Sequence, residues 1–233
     1  SALASDYNKR ANALMEKGNV DTAIDCYKKA IELNPNFADA YNNMGNLWAH
    51  TGDLKAAINC YEQAIKINPN FAAAYNNLGL SLMEQGAAEL AINSYKQAIK
   101  IKPNHAQAYS NLGNALNSQG DKKAAIDSYK QAIKIKPNHA DAYNNMGNVL
   151  RSQGDATSAL ASYKKVLEIN PAHAGVHNNI GLAHIDEGDA VAAVISYKEA
   201  INIDPAYAEA HSNMGMALQI EGELEAAIAS YKQ

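Results

Sequence analysis

Three kinds of residue in this sequence have chemistry to offer, and each falls at a regular spacing. His173, His177 and His184 include a pair four residues apart, the separation at which two imidazoles on one helix face can share a metal ion. Cys26 and Cys60 form a possible thiol pair 34 residues apart. Asparagine stands at Asn43, Asn77, Asn111, Asn145, Asn179 and Asn213, again at intervals of 34 residues, and a second set lies at Asn12, Asn46, Asn114 and Asn148. A primary amide carries one carbonyl acceptor and two N–H donors, so a single side chain can bond both the N–H and the C=O of a peptide backbone. No HExxH, no GxSxG, no glycine-rich phosphate loop and no strand pattern accompanies these residues.

The elements that position them are set by an internal repeat, which governs every other reading. Pro35, Pro69, Pro103, Pro137, Pro171 and Pro205 recur every 34 residues without insertion or deletion. With proline at repeat position 32, the repeats are 4–37, 38–71, 72–105, 106–139, 140–173 and 174–207, a partial seventh covers 208–233, and residues 1–3 remain as an N-terminal extension. Glycine fills position 15 throughout (Gly18, Gly52, Gly86 and onward), where it breaks a helix and supplies a left-handed C-terminal cap. Proline at position 32 ends a second helix. Positions 20, 24 and 27, as in Ala57, Tyr61 and Ala64, form the i, i+4, i+7 stripe of that second helix. Tyr41, Met44, Gly45 and Trp48 form the matching stripe on the first. Gly45 is expected to face the small Ala57, with Tyr61 and Trp48 filling the space around that contact. The chain therefore reads as one all-α array of helical hairpins over 4–233.

Set in these columns, most of the reactive residues are structural. His173 shares the last repeat position with His105 and His139, His177 replaces a tyrosine and His184 a leucine, so no metal or other cofactor is expected. Below Cys26 and Cys60 the same column holds serine, and stacked repeats stand ~8 to 10 Å apart, beyond the ~7 Å Cα separation that a disulfide spans. Both cysteines read as small buried thiols.

Charge excludes further classes. The net charge is −4, and no basic residue recurs along the first helix, so a nucleic-acid ligand is not expected. Residues 72–139 carry +4 and residues 174–233 carry −7, with many lysines at second-helix positions 25 and 29, where a solvated outer surface accounts for them. No run approaches the ~18 apolar residues of a membrane span, and SALASDYNKR has no apolar signal core. The expectation is a cytoplasmic protein without membrane contact.

The pattern resembles the tetratricopeptide repeat (TPR) family across essentially the whole chain: a 34-residue period, an aromatic residue or histidine at position 4, Gly at 8, Ala at 20, Tyr at 24, Ala at 27 and Pro at 32. Arg10 and Ala11 depart from it in the first repeat, where an outermost hairpin lacks one neighbour. The resemblance implies a right-handed α-solenoid of helix-turn-helix repeats whose first helices line the concave side.

At about 100° per residue, positions 2, 6, 9 and 13 lie opposite the hairpin stripe, and position 6 is the asparagine column. Asparagine is up to ~0.7 kcal/mol worse than alanine inside a helix, so an exposed ladder of it is not what stability alone would select. The ten asparagines are the expected peptide-binding residues, and the expected function is a non-enzymatic protein-interaction scaffold holding an extended polypeptide. A similar ladder characterises the TPR superhelix of O-linked N-acetylglucosamine transferases, where it holds substrate polypeptide. The alternative reading is thus the substrate-recruiting part of a larger enzyme, in keeping with a sequence that stops at Gln233 inside a second helix. The two-carboxylate clamp of chaperone-docking relatives matches at Asn12 and Asn43, but Asn8, Ala73 and Asn77 stand where its cations belong. Around Ile228 and Tyr231 an apolar face lacks a following helix, which makes end-to-end self-association a third expectation.

Overall fold

The structure is a computed structural model, and it describes residues 1–232. Among these, fourteen α-helices account for all regular structure: α1 Ala2–Glu16, α2 Val20–Leu33, α3 Ala38–His50, α4 Leu54–Ile67, α5 Ala72–Glu84, α6 Ala88–Ile101, α7 Ala106–Ser118, α8 Lys122–Ile135, α9 Ala140–Ser152, α10 Ala156–Ile169, α11 Ala174–Asp186, α12 Ala190–Ile203, α13 Ala208–Ile220 and α14 Leu224–Tyr231. They fall into two compact units, Ser1–Asp121 and Lys122–Gln233, divided inside the fourth repeat.

The turn within each hairpin is built as the glycine column requires. Gly52 has φ +85°, donates its N–H to the Ala49 carbonyl at 3.1 Å, and is followed by Asp53, whose N–H reaches the Trp48 carbonyl at 2.9 Å. This pair of bonds closes α3 as a Schellman motif. The Asp53 carboxylate then accepts from the Ala56 N–H at 3.0 Å and caps α4. Between repeats, Asn68 Oδ1 accepts from the Asn70 N–H at 3.1 Å, turning the chain around Pro69. The first helix starts earlier than the repeat frame. Ser1 Oγ accepts from the Ala4 N–H at 3.3 Å, so Ala2 and Leu3 continue α1 ahead of the first repeat.

Packing corrects two expectations. The side chain nearest the glycine of position 8 is the tyrosine and not Ala57: a Cβ added at Gly45 would lie 2.6 Å from Cε1 of Tyr61, and the same tyrosine column crosses Gly79, Gly147, Gly181 and Gly215. The ring of position 24 lies flat against the first helix, which has room only because that position is bare. The buried part of the first helix is also wider than the expected stripe, whose columns are core at Gly45, Leu78 and Leu82. Tyr41, Met44 and Trp48 are half-buried, while Ala40, Leu47 and Gly45 are buried, as are Ala74, Ala108, Ala142, Val176 and Ala210 in the column of Ala40.

The reason is that a first helix has more than one neighbour. In the first unit α3 packs on α4, on the preceding α2, and on the flanking first helices α1 and α5; α5 meets α7 in turn. In the second unit α9 touches α11 and α11 touches α13. Among the described residues no such approach joins successive second helices within a unit. Each unit therefore bends with its first helices on the inner side. Lys96, Lys100, Lys130 and Lys134 are exposed on the second helices.

Candidate functional site

The inner row of first helices brings the asparagine columns together across repeats. Asn77 donates its amide to Oδ1 of Asn42 at 3.1 Å and to Oδ1 of Asn46 at 2.9 Å, both in the preceding repeat. Asn43 does the same with Asn8 at 3.2 Å and Asn12 at 3.3 Å, and in the second unit Asn179 does so with Asn144 at 3.2 Å and Asn148 at 3.3 Å. The position-9 carbonyl is shared with the tyrosine of its own hairpin: Tyr27, Tyr61 and Tyr163 donate their hydroxyls to Asn12, Asn46 and Asn148 at 2.7, 2.9 and 2.8 Å. Each such oxygen thus gathers a phenol from below and an amide from the next repeat.

Leucine interrupts position 9 at Leu80 and Leu182, and the network shortens accordingly. Asn111 bonds back only to Asn76, at 2.9 Å, and Asn213 only to Asn178, at 2.9 Å. Asn111 also accepts from Gln107 at 3.0 Å, and Asn178 donates to Glu209 at 3.3 Å. Asn114 and Asn145 lie in the same rows, and neither is without a partner.

The column of position 6 is therefore not an exposed ladder, as its place on the wheel implies. Asn111 and Asn213 are buried, and Asn43, Asn77, Asn145 and Asn179 are half-buried. The fold supplies the structural reason for it: these amides hold one repeat to the next. Position 5 completes the network and was missed, although the doublets Asn42-Asn43, Asn76-Asn77, Asn144-Asn145 and Asn178-Asn179 display it in the sequence. The row that stays exposed is position 9, at Asn12, Asn46, Asn114 and Asn148. In Asn12, Asn46 and Asn148 the oxygen is engaged while the NH2 group faces no protein acceptor among the described residues.

The histidines are separated into local roles. His173 Nδ1 accepts from the Val176 N–H at 3.3 Å and caps α11, His177 Nε2 lies 3.3 Å from the Pro171 carbonyl, and His184 Nδ1 is 3.8 Å from Glu187. Cys26 and Cys60 are free and buried, and burial pushes the Cys60 thiol up to about 11. No helix among the described residues is long and apolar enough to cross a membrane.

Within each unit, paired helices stacked with their first members inward define helical-hairpin repeats. Models of the TPR repeat match residues 11–52, 49–86, 79–120, 113–154, 147–188 and 183–219, and a tetratricopeptide repeat model matches 208–233, so the chain belongs to the tetratricopeptide repeat family. No curated protein sequence matches it. Among solved structures it is similar to MamA, at 31% identity and a TM-score of 0.65 over 74% of this chain and 94% of that one. It is also similar to YrrB, described as a TPR protein with an unusual peptide-binding site, at 25% identity and 0.64 over 79% and 95%. A tetratricopeptide repeat protein from Parabacteroides merdae shares the fold at 15% identity and 0.77 over 100% and 92%.

Proposed function

We propose that this chain is a protein-interaction scaffold, without catalysis of its own, that holds an extended polypeptide against the inner face of its first helices. The position-9 amides of Asn12, Asn46 and Asn148 donate to backbone carbonyls of the ligand, and Asn114 occupies the same row. Of the position-6 residues, Asn43, Asn77 and Asn179 hold that row from the neighbouring repeat, Asn145 stands in the same column, and Asn111 and Asn213 are buried against Asn76 and Asn178 beneath the face. The observation that carries this reading is the spare NH2 of an exposed amide whose oxygen is fixed by a tyrosine and a second asparagine. Such a donor is already oriented, so less freedom is lost when it binds. The peptide-binding site of the similar YrrB supports the same ligand class. With adjacent repeats ~8 to 10 Å apart and an extended chain rising ~3.3 to 3.6 Å per residue, neighbouring amides such as Asn12 and Asn46 meet ligand residues about three apart, and side-chain sequence matters little.

The test uses an array of unstructured peptides and the triple variant Asn12→Leu, Asn46→Leu, Asn148→Leu, which copies the residues already present at Leu80 and Leu182. Binding should weaken across the array, at ~0.5 to 1.5 kcal/mol per lost hydrogen bond, while circular dichroism stays unchanged. The control Lys96→Ala, Lys130→Ala, Lys164→Ala on the second helices should bind as wild type. If the lysine variant loses binding and the asparagine variant keeps it, the ligand lies on the outer surface and the proposal fails.

A further inference from the structure

The inner face of the first unit holds a notch of about 290 Å³ between α3 and α5. Its walls are Ala49, His50, Leu80 and Glu84, and its floor is reached by Tyr61 and Asn77. Leu80 is 42% exposed there, an apolar surface beside an exposed carboxylate with no cation of the protein against it among the described residues.

The equivalent place in the second unit, between α9 and α11, shows what this geometry accepts. Leu182 stands where Leu80 does, Asp186 where Glu84 does, and Tyr163 where Tyr61 does. There the space is taken by the chain's own Arg151, at the position that Ala49 holds in the second repeat. Its Nη1 lies 3.4 Å from Asp186 Oδ2. Burial pushes the Tyr163 phenol up to about 12, and the adjacent Arg151 guanidinium opposes that rise. Position 12 otherwise carries Met15, Met83, Asn117, Ile185 and Gln219, so Ala49 is its smallest member. In the first unit the exposed inner rows also hold Glu16, Asp39 and Glu84 against the single Lys9, a field that favours a cation.

We propose that the notch between α3 and α5 is a side-chain pocket for an arginine of the bound polypeptide, with Glu84 pairing the guanidinium and Leu80 and Ala49 covering its aliphatic stem. The assignment rests on the reading that polypeptide lies on this face, and it adds a preferred residue to binding that is otherwise tolerant of sequence. Arginine suits the site better than lysine because its planar fork can bond the carboxylate through two N–H groups while its stem packs on apolar surface.

The experiment uses the full chain and two short capped peptides that differ at one central residue, arginine in one and its neutral isostere citrulline in the other. Fluorescence anisotropy should show the arginine peptide binding about tenfold more tightly, the scale of a charge-assisted pair. In Glu84→Gln that preference should vanish while the citrulline peptide binds as before. In Ala49→Arg the introduced side chain should pair with Glu84 as Arg151 does with Asp186, and the preference should again vanish. Equal binding of both peptides by the wild-type chain, or a preference that survives Glu84→Gln or Ala49→Arg, overturns the pocket and leaves the broader reading standing. Failure of both peptides to bind overturns the broader reading, and the pocket with it.

Discussion

Asn111 donates its amide to Oδ1 of Asn76 at 2.9 Å, and both side chains are buried, with 5% and 6% exposure. Removing the donor leaves a buried carbonyl without it, at a cost of ~1 to 3 kcal/mol. The better helix propensity of alanine returns at most ~0.7 kcal/mol. Asn111→Ala should therefore lower the urea midpoint, although a bare helical wheel argues that it should not. A midpoint equal to or above that of the wild type would show that the bond between repeats contributes nothing.

The tyrosine that crosses the first helix makes a second expectation. Gly45→Ala places a methyl group 2.6 Å from the ring of Tyr61, which is 2% exposed and enclosed by Leu78 and Ala57. Overpacking of this kind costs roughly 1 to 3 kcal/mol. The reverse change in the outermost hairpin, Ala11→Gly, relieves no clash with Tyr27 and should cost roughly 1 to 2 kcal/mol, from helix propensity and one buried methyl group. Alanine is the better helix former, so any loss in Gly45→Ala comes from the tyrosine contact, and a thermal melt at or above that of the wild type would count against it.

Alkali should unfold the chain through the same tyrosines. Burial raises the phenols of Tyr129, Tyr163 and Tyr197 from 10.0 to about 12, and raises Tyr61 and Tyr95 further. Between those values the unfolded chain has released protons that the folded chain retains, so stability falls as pH rises from about 10 to about 12. Tyrosinate absorbance and loss of helical dichroism should then rise together. Ionisation of these phenols ahead of any loss of helix would contradict this.

The repeat frame, the left-handed glycines and the helix-ending prolines were legible because each acts within one turn of its own chain. The contacts of Gly45 and the burial of Ala40 were not. A wheel drawn for one hairpin has a single buried side, whereas α3 is covered by α1, α2, α4 and α5 at once. Ala40 carries no hydrophobic signal strong enough to reveal that. The asparagines were visible as a column, but their partners lie 31 and 35 residues away, at Asn46 and Asn42 for Asn77, and only stacking brings them within reach. The notch was hidden for another reason: it is the absence of a side chain at Ala49, and it acquires meaning only beside Arg151.

Asp53 ends one helix with its N–H and begins the next with its carboxylate. With that double duty the hairpin turn holds no slack, and a single inserted residue would break two terminations together and swing α4 by about 100° around its axis. Length in such a chain is quantised. An insertion is absorbed without that rotation only when it is a whole 34-residue unit, and six complete repeats and a partial seventh keep that frame over 233 residues.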